Sequence, residues 1–80
     1  MFLDIITPDS QVFSGEVNSA TFPGTDGSFQ VLNNHAALIS TLDKGKITIK
    51  SATEELSWVV DGGVVEVLNN KIVVLAEAIL

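Results

Sequence analysis

Short runs of alternating apolar and polar residues, separated by turn-forming residues, make up most of the chain. In "GKITIKSA", Ile47 and Ile49 fall on one side and Lys46, Thr48 and Lys50 on the other. That period of two is the mark of a half-buried strand. "ELSWVVD" groups Leu56, Trp58 and Val60 in the same way, which makes Trp58 an expected core residue. "VVEVLNNKIVVLAEA" reads as a hairpin closed by Asn69-Asn70, because asparagine tolerates the positive φ of a two-residue turn. Pro8, Gly15, Pro23-Gly24, Gly27, Gly45 and Gly62-Gly63 supply the other turn signals, the glycine pair for a turn or a close backbone approach. No segment holds the i, i+3, i+4, i+7 apolar spacing of a capped helix. "NNHAALISTL" comes nearest, with one helical turn from an asparagine cap, and "AEAIL" could begin a second. The pattern predicts one all-β domain over residues 1–80, without long helices and built as a sandwich or barrel. Val17 to Ala20 breaks the alternation with a step of three, where a β-bulge is expected to restore register.

Several strands are apolar on both sides: Leu3-Ile5-Ile6, Val59-Val60, Val64-Val65 and Ile72 through Ala76. A free two-layer sandwich needs only one apolar face per strand. Double-sided strands need cover on the outside, and a chain of 80 residues has little left over to provide it. A domain of this size buries only about 60–65% of its unfolded surface. Either strand propensity alone fills some outward positions with valine, or, as is expected here, the exposed apolar face meets a protein partner.

Charge narrows the class of partner. Four lysines against ten carboxylates give a net charge of −6, with no arginine, and every lysine lies beyond residue 43. Such a chain repels phosphate backbones, so nucleic acid is excluded. It also lacks a basic patch for anionic lipid. "MFLDIITPDS" has no basic start and is interrupted by Asp4 and Pro8, unlike a secretory signal. No apolar run reaches the roughly 20 residues of a spanning helix. Contact with a membrane is expected only through another protein. No disulfide is possible, because there is no cysteine.

Catalytic and metal chemistry find little support. His35 is the only histidine, so a zinc site of the usual kind cannot be assembled. Ser28, Ser40 and Asp43 lie near it in sequence, but no strained G-x-S-x-G elbow presents a nucleophile. Glu54-Glu55 is the only adjacent carboxylate pair and belongs to a solvated turn. "DKGKIT" lacks the glycine spacing and hydroxyl of a phosphate loop. Asp26 with Asp43 or Asp9 lacks the alternating oxygen ligands of a calcium loop. No metal and no cofactor is expected. His35 keeps two readings: a loop histidine bonded to nearby backbone, or a contact with a protein partner.

The succession "FSGEV…PGTDGSFQVLNNHAALISTLDKGKITI…VVDGGVVEVLNNKIVVLAE" resembles the epsilon subunit of F-type ATP synthases, called delta in mitochondria. It covers about residues 2–78, and its strongest part runs from Pro23-Gly24 through Asn34-His35-Ala36 to Gly45. The resemblance implies a sandwich of two five-stranded sheets. It also implies a non-catalytic part of the central rotor, bound to the gamma subunit and to the polar loops of the c-ring. The role so implied is to help couple proton-driven rotation to ATP synthesis, on the cytoplasmic face of the bacterial inner membrane. Ring-facing tips would be Asp26, Gly27 and Ser28, with Asn34 and His35 beside them; gamma-facing positions would be Thr7, Ser40 and Asp61. The family pattern carries Glu where Ser28 stands, and proline at the positions of Asn33 and Ala37. Asp26 is expected to take over part of the missing carboxylate's role. Longer members continue into a helical hairpin that inhibits hydrolysis and in some binds ATP. For a chain that stops at Leu80, neither property is expected. The alternative is a free-standing sandwich that binds a small ligand or peptide in a concave pocket.

Overall fold

A computed structural model describes residues 1–80. Seven strands follow one another: β1 (Phe2–Ile6), β2 (Gln11–Glu16), β3 (Ser19–Gly24), β4 (Gly27–Leu32), β5 (Leu38–Lys50), β6 (Glu55–Leu68) and β7 (Lys71–Ala76). They form a single hydrogen-bonded sheet in the order β2-β1-β7-β6-β5-β3-β4. All pairs are antiparallel except β1 with β7. The all-β sandwich architecture holds, and the two five-stranded sheets that the resemblance implies are hydrogen-bonded into one seven-stranded sheet bent double.

The bend lies in β5 and β6. These strands are 13 and 14 residues long, and their pairing keeps one register from Leu38↔Val67 to Lys50↔Glu55. Along β5, the residues turned inward are Leu38, Ser40 and Leu42, and then Gly45, Ile47 and Ile49. Along β6, they are Val67, Val65 and Gly63, and then Val60, Trp58 and Leu56. Both strands therefore advance by three positions at the same rung, where two is the rule elsewhere. There each passes from one layer to the other. One layer holds β2, β1, β7 and the adjoining halves of β6 and β5, five strands in all; the other holds the remaining halves with β3 and β4. The layers face each other. Phe13 of β2 meets Trp58 of β6 at 5.4 Å between ring centroids, although three strand pairings separate them in the sheet.

Glycine makes the bend possible. Gly62 and Gly63 have φ of 93° and 153°, a region that side chains rarely enter. A Cβ on Gly63 would lie 2.4 Å from the Leu75 carbonyl oxygen of β7. The expected close backbone approach is found there, in mid-strand instead of at a hairpin turn. Beside it β5 takes the longer path. Thr21 pairs with Thr48 and Gly24 with Leu42, so residues 43–47 of β5 oppose only Phe22 and Pro23 of β3.

Sixteen buried side chains, all apolar, form the core; they include Leu3, Ile5, Phe22, Val31, Ile47, Ile49, Val65, Ile72 and Val74. No polar or charged side chain is buried. Trp58 is half-buried and packs against this core. Asn69 and Asn70, with φ of 51° and 60°, close the β6–β7 hairpin as expected.

Three local expectations change. The step of three at Val17–Ala20 is the crossing between β2 and β3, not a bulge, since Val17 lies beyond the end of β2. Neither expected helical turn forms. Residues 33–37 make a turn and loop, with His35 N–H bonded to the Leu32 carbonyl at 3.2 Å. Residues 77–80 run back along β6, where Asp61 N–H meets the Ala78 carbonyl at 3.1 Å and Leu80 N–H the Val59 carbonyl at 2.8 Å. Pairing with a neighbouring strand satisfies these backbone groups better than one isolated helical turn would. Gly15 and Gly45, expected at turns, lie within β2 and β5.

Gly63→Ala combines an unfavourable φ with contact to a neighbouring backbone. It should destabilise the domain by about 2–3 kcal/mol, read as a lower denaturant midpoint.

Candidate functional site

The outer side of the five-stranded layer is built by the second set of alternating residues. β1 presents Phe2, Asp4 and Ile6; β7 presents Lys71, Val73 and Leu75; β6 presents Val64, Glu66 and Leu68; β5 presents Ile39 and Thr41. Register sets them in rows. Ile6, Leu75, Val64 and Thr41 make one row, and Asp4, Val73, Glu66 and Ile39 the next. Neighbouring strands lie about 4.8 Å apart, so four strands span roughly 14 Å. Ile39 is 70% exposed and Leu75 55%, with Leu68 and Val64 also open to solvent. Ile39, Val64, Val73 and Leu75 surround a shallow hollow of ≈ 200 Å³ together with Glu66. The double-sided strands thus leave an apolar outer face, as their composition implied.

The ends of the sandwich differ. At the bend, the Thr25-Asp26 turn of the β3–β4 hairpin is tied to β5: Thr25 N–H donates to the Thr41 carbonyl at 3.1 Å, and the two threonine hydroxyls lie 2.8 Å apart. Asp43, Asp61 and Glu77 share this end, with Asp9 in the Thr7–Ser10 turn that follows β1. All five carboxylates counted with Asp26 are exposed. The far end carries amides instead. Asn34 N–H donates to Asn70 Oδ1 at 2.8 Å, and Asn33 Oδ1 accepts from the Met1 ammonium at 2.7 Å. His35 is exposed there, its Nδ1 bonded to the Ala36 carbonyl at 2.7 Å.

The residues singled out from the sequence therefore separate. Asp26, Gly27 and Ser28 sit together at the bend end, with Thr7 and Asp61 at the same end. Asn34 and His35 lie at the other end, beyond the whole of β4. Six residues at about 3.3 Å each put some 17 Å or more between the two groups. What joins them is the free edge of β4, which pairs only with β3. Ser40 belongs to the inward set of β5; its hydroxyl donates to the Thr41 carbonyl at 3.1 Å. Sequence reasoning missed the particular outer residues Ile39, Val73 and Leu75. Which member of an apolar pair faces outward depends on the rung at which β5 and β6 change layers.

No arrangement here resembles a catalytic centre. His35 Nδ1 is engaged by backbone, not by Ser28, Ser40 or Asp43. A ligand pocket requires convergent polar groups, whereas the hollow on the outer face is lined by four aliphatic side chains and one carboxylate.

Known proteins share both sequence and fold with this chain. The family model for the ATP synthase delta/epsilon chain β-sandwich domain matches residues 1–80. An ATP synthase epsilon chain of Chlorobium limicola is 45% identical over 76 residues, covering 94% of this chain and 86% of the relative. One from Chlorobaculum tepidum is 44% identical over 78 residues, covering 96% and 89%. One from Dehalococcoides mccartyi is 43% identical and longer: the match covers 95% of this chain but 54% of the relative. A chain in the central stalk and c-ring structure of the Tetrahymena thermophila mitochondrial ATP synthase has the same fold, with a TM-score of 0.87 at 17% identity, over 99% of this chain and 64% of that one. A chain of the Euglena gracilis mitochondrial ATP synthase gives 0.90 at 18%, over 98% and 51%.

His35 and Asp26 lie on exposed turns and contribute nothing to the core. His35→Ala and Asp26→Asn should each change unfolding free energy by less than about 0.5 kcal/mol, measured by denaturant titration of the purified chain.

Proposed function

We infer, from the premise that this chain belongs to the ATP synthase delta/epsilon family, that it is a non-catalytic subunit of the central rotor stalk. It docks on the gamma subunit and on the c-ring, and helps couple rotation to ATP synthesis. One observation carries the mechanism: the five-stranded layer exposes Ile39, Val64, Leu68 and Leu75 on a face that the chain itself leaves bare. Burial of apolar surface is the main favourable term in association, and a broad interface with an apolar centre and polar rim holds orientation under load.

Gamma takes this outer face. Thr7 and Asp61 lie near the margin of the contact, towards the bend, whereas Ser40 is turned inward on β5 and stays outside it. The c-ring meets the β4 edge, with Asp26, Gly27 and Ser28 at one end of the contact and Asn34 and His35 at the other. Asp26 supplies a carboxylate next to Ser28, one residue beyond the intervening Gly27, where charge-assisted bonds to polar ring loops can form. The complex is membrane-associated, and in a bacterial cell this chain occupies the cytoplasmic side, held there by its partners.

Ile39→Asp and Leu75→Asp place charges on side chains that are already exposed, so the fold should persist. Each should weaken binding to the cognate gamma-containing assembly by more than about 30-fold, since an unpaired charge buried at an interface costs several kcal/mol. Co-purification of tagged variants, with denaturation midpoints as the folding control, reads this directly. Unchanged co-purification would remove the assignment of gamma to this face.

A further inference from the structure

Glu66 occupies an unusual place on the outer face. Across the sheet it is directly opposite Ile39 of β5 and Val73 of β7. Val64 and Leu68 flank it on its own strand, and Leu75 lies diagonal to it. Five aliphatic side chains thus surround a carboxylate that also lines the hollow, and Lys71 takes the remaining diagonal on β7, lining a neighbouring hollow with it. The other charges on the face are accounted for. Asp4 accepts from Gln11 Nε2 at 3.1 Å and lies 4.0 Å from Lys71 Nζ. Lys71 Nζ is drawn to that side, 5.9 Å from the Phe2 ring centroid. Glu66 pairs with none of the lysines.

We propose that Glu66 is the polar anchor of the interface, and that the surface docking on this face presents a cationic side chain to it from within an otherwise apolar patch. The inference rests on the reading that gamma covers this face, and specifies the chemistry that gamma must bring. A carboxylate left in water at a rim costs nothing, but one with five aliphatic neighbours, beside a lysine that pairs with Asp4 instead, is desolvated when the surface around it is covered. An isolated buried carboxylate is strongly unfavourable. Docking on these aliphatic side chains is favourable only if the incoming surface supplies a counter-charge at that point. The same requirement selects the partner: an apolar surface without a cation is rejected by the uncompensated carboxylate. A solubilising role, in which Glu66 interrupts a sticky face and stays hydrated in the complex, makes the opposite forecast for removing the charge.

Affinity for the cognate gamma-containing assembly separates the two. Glu66→Leu would leave the partner's cation buried against a leucine, and should weaken binding by about 30-fold or more. Glu66→Gln, which keeps size and hydrogen bonding, should weaken it by about tenfold or more. Neither touches the core, and denaturation midpoints check that both fold. Equal or tighter binding by Glu66→Leu, with Ile39→Asp still disruptive, overturns the anchor while leaving the face assigned to gamma. Full binding by Ile39→Asp overturns both. Lys71→Met is the third arm. If the Glu66→Leu loss disappears in that background, the counter-charge is the chain's own lysine and the proposal fails.

Discussion

The rung at which β5 and β6 exchange layers governs the rest of the molecule. Two long strands keep their mutual hydrogen bonds through the bend, and both turn their side chains over at the same place. The constraint is steric. At Gly63, β6 passes so close to the Leu75 carbonyl of β7 that any side chain would collide. A shifted glycine pair would move the turnover to another rung. Every residue of one half-strand would then exchange inside for outside, because the side-chain period is two. Which residues form the core and which remain outside is therefore set at one corner.

An incomplete outer surface follows from this arrangement. The inward residues of both layers fill one wholly apolar core without a single buried polar side chain. Seven strands suffice to close it, and residues 1–80 leave the outer face of the five-stranded layer uncovered. The tail beyond β7 returns to β6 near Val59 and Val60, on the other side of the bend, so it covers the corner and leaves Ile39, Val64 and Leu75 open. The core and the exposed apolar face thus come from the same distribution of residues: the valines and isoleucines that favour strands fill the core on one side and the outer face on the other.

Much of this is legible in the sequence because it depends on local chemistry. Alternation at Ile47 and Ile49, the Asn69-Asn70 turn and the double-sided runs each report a short-range preference. The bend is less legible, since Gly45 and Gly62-Gly63 look like hairpin turns until the uninterrupted β5–β6 register is known. Turn residues specify where a chain can depart from ordinary φ, not whether its hydrogen bonding stops there. The same limit applies to the candidate contacts. Asp26 and His35 are nine residues apart in sequence and read as one motif, yet the whole of β4 is extended between them. Nearness in sequence implies nearness in space within a turn, and the reverse along a strand.

Continuity of the sheet also bears on how such a domain could transmit load. In a sandwich of two separate sheets, the layers are joined by loops and by side-chain packing, and a tangential force acts on a plane where one layer can slip over the other. Here β5 and β6 belong to both layers. A force applied to the outer face at Ile39 or Val64 enters the same two strands that carry Ile49 and Leu56 in the opposite layer, passes along their backbone into that layer, and reaches the β4 edge across the β5–β3 and β3–β4 hydrogen bonds. The Thr25–Thr41 contacts tie the β3–β4 turn back to β5 at the bend, which adds a second route to the same edge. In a sheet bent double, resistance to slip between the layers rests on chain connectivity as well as on the core.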